Sequence, residues 1–400
     1  MRTTNGPIYL DYQATTPTDP RVVEEMLPFF SERFGNPHST THEYGIDADR
    51  AVARARSYIG ALVAASGADI TFTSGATEAN NLALLGLAEQ LRSVNRTHIV
   101  TSPIEHSCVK AILEYLASVG FRITVVGVDA TGVIDPVAIE RALRDDTGLV
   151  TVMAVNNEIG TIQPVGALGT LCRARGVLFH TDAAQAAGRI PLDVERMGVD
   201  LLTMSAHKLY GPKGVGALYV RGAIRRKMRP ILHGGGQERG LRSGTLPAPL
   251  CVGFGEACRI ATEEMAIDAE RLITIRADFL AMLRDHGVRA FSVNGTMDER
   301  RIPGNLNIAF DDVDAEALVM RLRPTVAIAT GSACTSDSVE PSHVLTSIGL
   351  CREAAESSVR ISFGRFTTAT DILHATTSIA EAVAELRAVS KASSLMAGNR

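Results

Sequence analysis

Tryptophan is absent from the 400-residue chain and aromatic residues make up only 5% of it, so a surface that stacks bases on aromatic rings is not expected. An excess of one charge is missing too. Lys and Arg number 40 against 44 Asp and Glu, and the net charge of -4 gives no overall pull toward nucleic acid or anionic lipid. Asn, Glu, Gly or Arg breaks every apolar stretch before the roughly 18–20 residues a spanning helix needs. The first ten residues lack the charged-then-apolar pattern of a leader peptide. The six cysteines (Cys108, Cys172, Cys251, Cys258, Cys334 and Cys351) form no C-x-x-C pair, so neither a zinc ribbon, a bound metal nor a disulfide framework is expected, and the reducing cytoplasm is the expected compartment. Lysine is scarce: only Lys110, Lys208, Lys213, Lys227 and Lys391 occur among the 40 basic residues. Each retained lysine therefore raises the question of what only a lysine can do.

What is present describes a packed chain. Hydrophobic residues are 46% and charged residues 21%, ordinary values for a globular protein and too apolar for a disordered one. The length suggests two or three domains at roughly 100–200 residues each. From about residue 48 to 222, helix-period runs alternate with short apolar runs at 69–73, 98–102, 121–127, 149–155, 177–181, 200–205 and 215–220. That alternation predicts an α/β domain with a mainly parallel sheet. One long helix is predicted over about 247–285. Shorter elements follow, with strands at 308–310 and 326–329 and helices at 314–323 and 370–389, which predicts a smaller α+β domain. The polar tail after Val389 is expected to fray.

Four motifs carry chemistry. Ser205-Ala206-His207-Lys208, followed by Leu209-Tyr210-Gly211-Pro212-Lys213-Gly214, puts a lysine just past a strand end, held by small residues and a turn. Lysine forms Schiff bases with aldehyde cofactors such as pyridoxal phosphate. Lys213, in the turn, is assigned a structural role. Second, His180-Thr181-Asp182-Ala183-Ala184-Gln185 ends another strand. A carboxylate there lies where α/β folds bind ligands and can keep a pyridine nitrogen protonated, with Gln185 toward the ring hydroxyl. Asp182 as a helix N-cap is the alternative. Third, Thr73-Ser74-Gly75-Ala76-Thr77-Glu78 joins a strand to a helix, and its small residues let helix-terminal N–H groups approach a phosphate; a capping box is the alternative. Fourth, Cys334 lies in the small, polar run Gly331 to Ser338, unlike the other cysteines, which sit in or beside helical runs and are assigned buried, inert roles. His106 follows a strand and offers a ring to stack or a proton to move. Asn157 ends another strand. The run Gly234 to Thr245 is rich in glycine, hydroxyls and arginine. Arg360 in a strand-like run offers a fork for a carboxylate, substrate or internal.

Together these motifs resemble the cysteine desulfurases of the NifS/IscS type, within the class V aminotransferase group of fold type I pyridoxal-phosphate enzymes. The matching runs are Tyr9-Leu10-Asp11-Tyr12 with Ala14-Thr15-Thr16-Pro17, Phe34 to Ser39, FTSGATE at 72–78, VNNEIG at 155–160, HTDAAQ at 180–185, SAHKLYGPKG at 205–214, GGGQERGLRSGT at 234–245, GSACTS at 331–336 and RISFGRF at 360–366. The resemblance implies pyridoxal 5'-phosphate attached at Lys208, with Asp182 on the ring nitrogen, Gln185 on the ring hydroxyl, His106 on the ring face and Asn157 alongside. It implies a phosphate cradle of Gly75, Ala76, Thr77, Ser205 and His207, with Thr245 reaching across from a second subunit of a homodimer. Asn36 and Arg360 would hold the carboxylate of L-cysteine, and Cys334 would carry the persulfide before an acceptor protein receives it. The expected domains are 18–262, binding the cofactor, and 1–17 with 263–400, carrying the Cys334 run. The GSACTS run resembles the group with a long loop, and the C-terminal tail differs from the segment with which housekeeping members grip their scaffold protein. A class V aminotransferase, a selenocysteine lyase and an inactive scaffold are the rival readings; a transaminase needs no Cys334, and a scaffold needs none of Lys208, Asp182 and Cys334.

Overall fold

The computed structural model describes residues 6–330 and 340–397, with side chains through residue 390. Its strands in chain order are β1 (Ile8–Tyr9), β2 (Ile70–Thr73), β3 (His98–Thr101), β4 (Arg122–Val125), β5 (Thr147–Thr151), β6 (Leu178–Asp182), β7 (Leu201–Ser205), β8 (Gly216–Val220), β9 (Phe291–Val293), β10 (Asn305–Phe310), β11 (Val326–Ala327), β12 (Ala329–Thr330) and β13 (Ser358–Ser362). The helices that matter below are α1 (Glu43–Leu62), α2 (Ala76–Ser93), α3 (Ser107–Ser118), α4 (Ala248–Asp285), α5 (His343–Ser347) and α6 (Ala369–Ala397).

Seven strands form one sheet in the order β2-β8-β7-β6-β5-β3-β4. All neighbours run parallel except at β8, which is antiparallel to both β2 and β7. Strand residues alternate between two cores. Val150, Leu202 and Tyr219 face a core shared with α1 and the first half of α4, while Leu149, Leu201 and Leu218 face one shared with α2 and α3. A sheet covered on both faces explains why its strands read as nearly continuous apolar runs. α1 buries Ala48, Ala51, Val52, Ala55 and Ile59, an i, i+3, i+4 stripe, against α4. Gly255 permits that close approach, because a Cβ there would sit 2.5 Å from Ala55 Cβ.

A second sheet, β12-β13-β10-β9, is antiparallel throughout. Leu306, Ile308, Phe310, Val359 and Ile361 pack one face of it against the second half of α4 and against α6. The other face carries Asn305, Asn307, Arg360 and Ser362, all buried. A two-stranded parallel pair, β1 with β11, ties the N-terminal segment to this part. The tail expected to fray continues α6 as far as Ala397. No helix among the described residues is long and apolar enough to cross a membrane.

Candidate active site

The parallel strands β3, β5, β6 and β7 end on one side of the sheet, where ligands bind in open α/β folds. A cavity of about 610 Å³ opens there. It is lined by Gly75, Ala76, Thr77, His106, Asn157, Asp182, Gln185, Ser205, His207, Lys208 and Arg360, residues drawn from six separate stretches of chain. Lys213, exposed in the turn at residues 213–214, lines it as well. Asn36 and Thr245 do not line the cavity of a single chain, and both are exposed. The Asn36 amide oxygen is used locally, accepting the His38 N–H at 3.0 Å. Cys334 lies outside the described residues.

Lys208 ends a single 3-10 turn (Ala206–Lys208) directly after β7. Its Nζ donates to the carbonyl oxygens of Gln13 (2.7 Å) and Ala14 (2.8 Å). Thr16 in the same N-terminal segment donates to the His207 carbonyl through both its N–H and its Oγ1. The segment quoted for the resemblance around Gln13 thus supplies backbone acceptors that aim the lysine.

Asp182 ends β6 and is buried. Its Oδ1 accepts the Ala184 N–H at 2.9 Å, a local turn; the residues after it form turns and no helix, so the helix N-cap alternative is not realised. Its Oδ2 accepts from Asn80 Nδ2 at 2.8 Å. Gln185 Nε2 donates to the Gln13 carbonyl at 2.9 Å, while its Oε1 is buried with no partner in the structure. His106 caps α3, its Nδ1 accepting the Cys108 N–H at 3.2 Å. Burial is the main cause that pushes His106 down from the usual imidazole range, with Lys208 adding to it and Asp182 opposing. Burial, then Lys208 and Lys213, lowers His207 to about 4. Both rings are therefore neutral near pH 7.

At the other end of the cavity α2 begins at Ala76, with Gly75 as its cap and no side-chain cap bond, so its first N–H groups face outward from the helix end. Glu78 Oε2 accepts the Ser74 N–H at 2.8 Å, which is half of the capping-box alternative; no hydroxyl completes it. Gly75 has φ of 155° and lies against Gly216, where a Cβ would come within 2.7 Å of Gly75 Cα. The turn can pass this close to β8 because Gly216 lacks a side chain, while the backbone angle at Gly75 is one that glycine adopts readily.

Arg360 realises the internal one of its two alternatives. Nη2 pairs with Asp11 Oδ1 at 2.8 Å and Nη1 donates to the Asn157 carbonyl at 2.9 Å. Its Nε is buried without a partner, although the side chain reaches the cavity. The pairing with Asp11 is the internal one, and the remaining donor capacity is what an incoming carboxylate would use.

The sequence reading missed Gln13, Asn80 and Cys108. Gln13 acts through its backbone, which no side-chain pattern reveals. Asn80 is an amide on the apolar phase of α2, a detectable anomaly. Cys108 was assigned a buried, inert role, yet it is half-buried and lines the cavity. Cys351 was assigned likewise and is exposed, because it precedes the short helix Arg352–Glu356 at the surface. Cys172, Cys251 and Cys258 are buried as expected.

The donor set fits pyridoxal phosphate. A lysine is available for its aldehyde, a buried carboxylate for its ring nitrogen, an unpartnered amide oxygen and a neutral imidazole sit beside the ring volume, and an uncapped helix start with hydroxyls and His207 can take its phosphate.

Comparisons with known proteins agree. Residues 8–374 match the family model for aminotransferase class-V. The chain is 49% identical over 384 residues to "Cysteine desulfurase IscS" of Methylococcus capsulatus, covering 96% of this chain and 94% of that protein. Among solved structures, a "NifS-like protein" superposes with a TM-score of 0.87 at 36% identity, covering 94% of this chain and 99% of that one. "SspA in complex with cysteine" gives a TM-score of 0.79 at 38% identity, covering 90% and 99%. With a family match spanning nearly the whole chain, the protein belongs to the class-V aminotransferases.

Proposed function

We infer that the protein is a pyridoxal-phosphate-dependent cysteine desulfurase, which converts L-cysteine to L-alanine and leaves the sulfur on Cys334 as a persulfide for an acceptor protein. The observation that carries this reading is a single cavity holding Lys208, Asp182 and a partly unsatisfied, buried Arg360. Near-full-length identity of 49% to a cysteine desulfurase supports the same chemistry. The bound cofactor supplies an electron-withdrawing ring that accepts the charge left at the substrate Cα.

The chain supplies the rest. Asp182 would keep the ring nitrogen protonated, Gln185 would bond the ring hydroxyl, and His106 and Asn157 would lie beside the ring. Gly75, Ala76, Thr77, Ser205 and His207 hold the phosphate, joined by Thr245 of a second copy. Arg360, with Asn36, would bind the substrate carboxylate and so orient the substrate in the cavity. Lys208 takes the Cα proton as general base, its amine kept in line by the Gln13 and Ala14 carbonyls. Neutral His106 can pass a proton in the same space. The Cys334 thiolate attacks the substrate sulfur; an S–S bond forms as the C–S bond breaks, and the carbon fragment regains protons as alanine. L-cysteine and one thiol become L-alanine and one persulfide, so no outside oxidant is needed. The division into residues 18–262 and residues 1–17 with 263–400 would set Lys208 and Asp182 on one part and Arg360 on the other.

The test is direct. The purified protein should be yellow and should release alanine from L-cysteine, with sulfide appearing when a reductant is present. Lys208→Ala should lose turnover by about 10²–10⁴-fold or more, the range for a lost acid–base group. Borohydride reduction of the native protein should then label Lys208. Cys334→Ser should keep the colour and the response to L-cysteine but form no persulfide. Labelling of Lys213 or Lys110 instead, or a persulfide mapped to another cysteine, would refute these assignments.

A further inference from the structure

Asn80 is fully buried on α2, in a stripe otherwise made of Ala79, Leu82, Ala83 and Leu87. A buried amide there destabilises the helix packing unless its hydrogens are used. Nδ2 lies 2.8 Å from Asp182 Oδ2 and 3.2 Å from Cys108 Sγ. A carboxylate can only accept, so the amide nitrogen and not its oxygen must face it. The second Asp182 oxygen takes the Ala184 N–H. Each oxygen of the carboxylate therefore has one fixed protein donor, and Asn80 supplies the only one of the two that is a side chain.

Cys108 closes the arrangement. Its sulfur is 3.1 Å from His106 Nδ1, the nitrogen that also accepts the Cys108 N–H. Nδ1 is thus the acceptor of that ring, and its proton is on Nε2. Burial, with Asp182 adding to it, pushes the Cys108 thiol up to about 12, so it stays an uncharged neighbour of the carboxylate. Glu105, His106 and His180 also feel the Asp182 charge.

We propose that Asn80 is a positioning residue for Asp182: its amide, oriented by the Cys108 sulfur, fixes the direction of the carboxylate toward the cofactor ring nitrogen. The proposal rests on the reading of Asp182 as the ring-nitrogen partner. Without Asn80, one carboxylate oxygen loses its donor, and the group can turn away from the ring nitrogen.

Asn80→Ala and the near-isosteric Asn80→Leu test it in the holoenzyme. Both should weaken cofactor retention by about tenfold or more, as for a lost hydrogen bond to a charged group. Both should move the pH midpoint of the cofactor's near-visible absorption band, and lower kcat while leaving KM for L-cysteine nearly unchanged. Cys108→Ala should move the same band in the same direction by less. The Asn80 side-chain amide protons should exchange slowly with solvent in the native holoenzyme, a measurement that needs no substitution at position 80. Asp182→Asn separates the two layers. If it leaves the band and the retention untouched, the reading of Asp182 fails. If it changes them while a folded Asn80→Leu does not, or if the Asn80 amide exchanges fast, the role given to Asn80 is wrong.

Discussion

Arg360 shows how much one side chain can be asked to do. It is buried on β13, pairs with Asp11, donates to the Asn157 carbonyl and still has an unpartnered Nε. A lysine at the same place has one point charge and no planar fork, so it cannot keep the Asp11 pair and meet a substrate carboxylate in the same geometry. Arg360→Lys should therefore raise KM for L-cysteine and lower kcat/KM by about ten- to a hundredfold, the worth of a charge-assisted hydrogen bond. Retention of the cofactor should change little, because Arg360 is assigned to the substrate. Steady-state kinetics beside a cofactor titration checks this, and a large loss of cofactor with unchanged KM would contradict it. At this scale the sequence is legible where the residue type itself is the signal. Lys208, Asp182, His106 and Arg360 each carry chemistry that few other side chains can perform. Gln13 is invisible because a backbone carbonyl belongs to every residue. Cys108 misleads because its setting in a helix start gives no hint of the cavity beside it.

Elements were legible to within a few residues wherever periodicity and burial agree, as in α4 and the strands of the large sheet. What the pattern does not show is how elements are pinned to each other. The short helix α5 is held by two loops at the cavity edge: Ser342 Oγ donates to Glu158 Oε2 at 2.5 Å, and His343 Nε2 lies 3.0 Å from the Glu105 carbonyl. The carboxyl of Glu105 itself takes Ser102 Oγ at 2.6 Å and the Met153 N–H at 2.9 Å, and its second oxygen is buried without a partner. These contacts join residues up to 238 positions apart, which no local pattern encodes. They also make a pH prediction. Burial raises Glu105 to about 8 and Glu158 to about 7, against an ordinary value of 4.5. The native state holds these protons more tightly than the unfolded chain does. Their contribution to stability is thus complete below about pH 4.3 and is lost as pH rises toward 8. His180 acts in the opposite sense: burial lowers it to about 4, so its contribution is complete above about pH 6.5 and is lost as pH falls. The melting temperature of the holoenzyme should decline between pH 6.5 and 8 by a few degrees. Glu105→Gln, which cannot ionise, should flatten that decline. A melting temperature that rises through this window in the native protein would show that the buried carboxyls are not what governs it.

The whole molecule has a surface that a single chain leaves unfinished. Leu27, Phe30, Phe34 and Tyr44 are 58%, 60%, 63% and 58% exposed, and Phe34 stacks on Tyr44 with ring centroids 5.4 Å apart. Clustered exposed aromatic and aliphatic side chains of this kind mark interaction surfaces. Thr245, assigned to a phosphate by resemblance, is exposed and away from the chain's own cavity. Both observations are accounted for if two copies pair by a two-fold axis, covering the apolar patch and carrying each Thr245 to the other's cavity. Burying one Phe side chain contributes about 1.5–3 kcal/mol, so Phe34→Asp should weaken the dimer by at least about tenfold in sedimentation. Shared sites make a sharper demand. Lys208→Ala removes the lysine from one subunit's cavity, and Thr245→Asp sets a negative charge against the phosphate in its partner's. Each variant alone should be nearly inactive. In a mixed dimer, the cavity that uses Lys208 of the Thr245→Asp chain receives the intact Thr245 of the Lys208→Ala chain, and is whole; the other cavity carries both defects. Mixing the two inactive variants and allowing subunits to exchange should therefore restore activity, up to about half of the native value per mixed dimer. If exchange is verified by mass and no activity returns, Thr245 serves its own chain's cavity or none, and the sites are not shared.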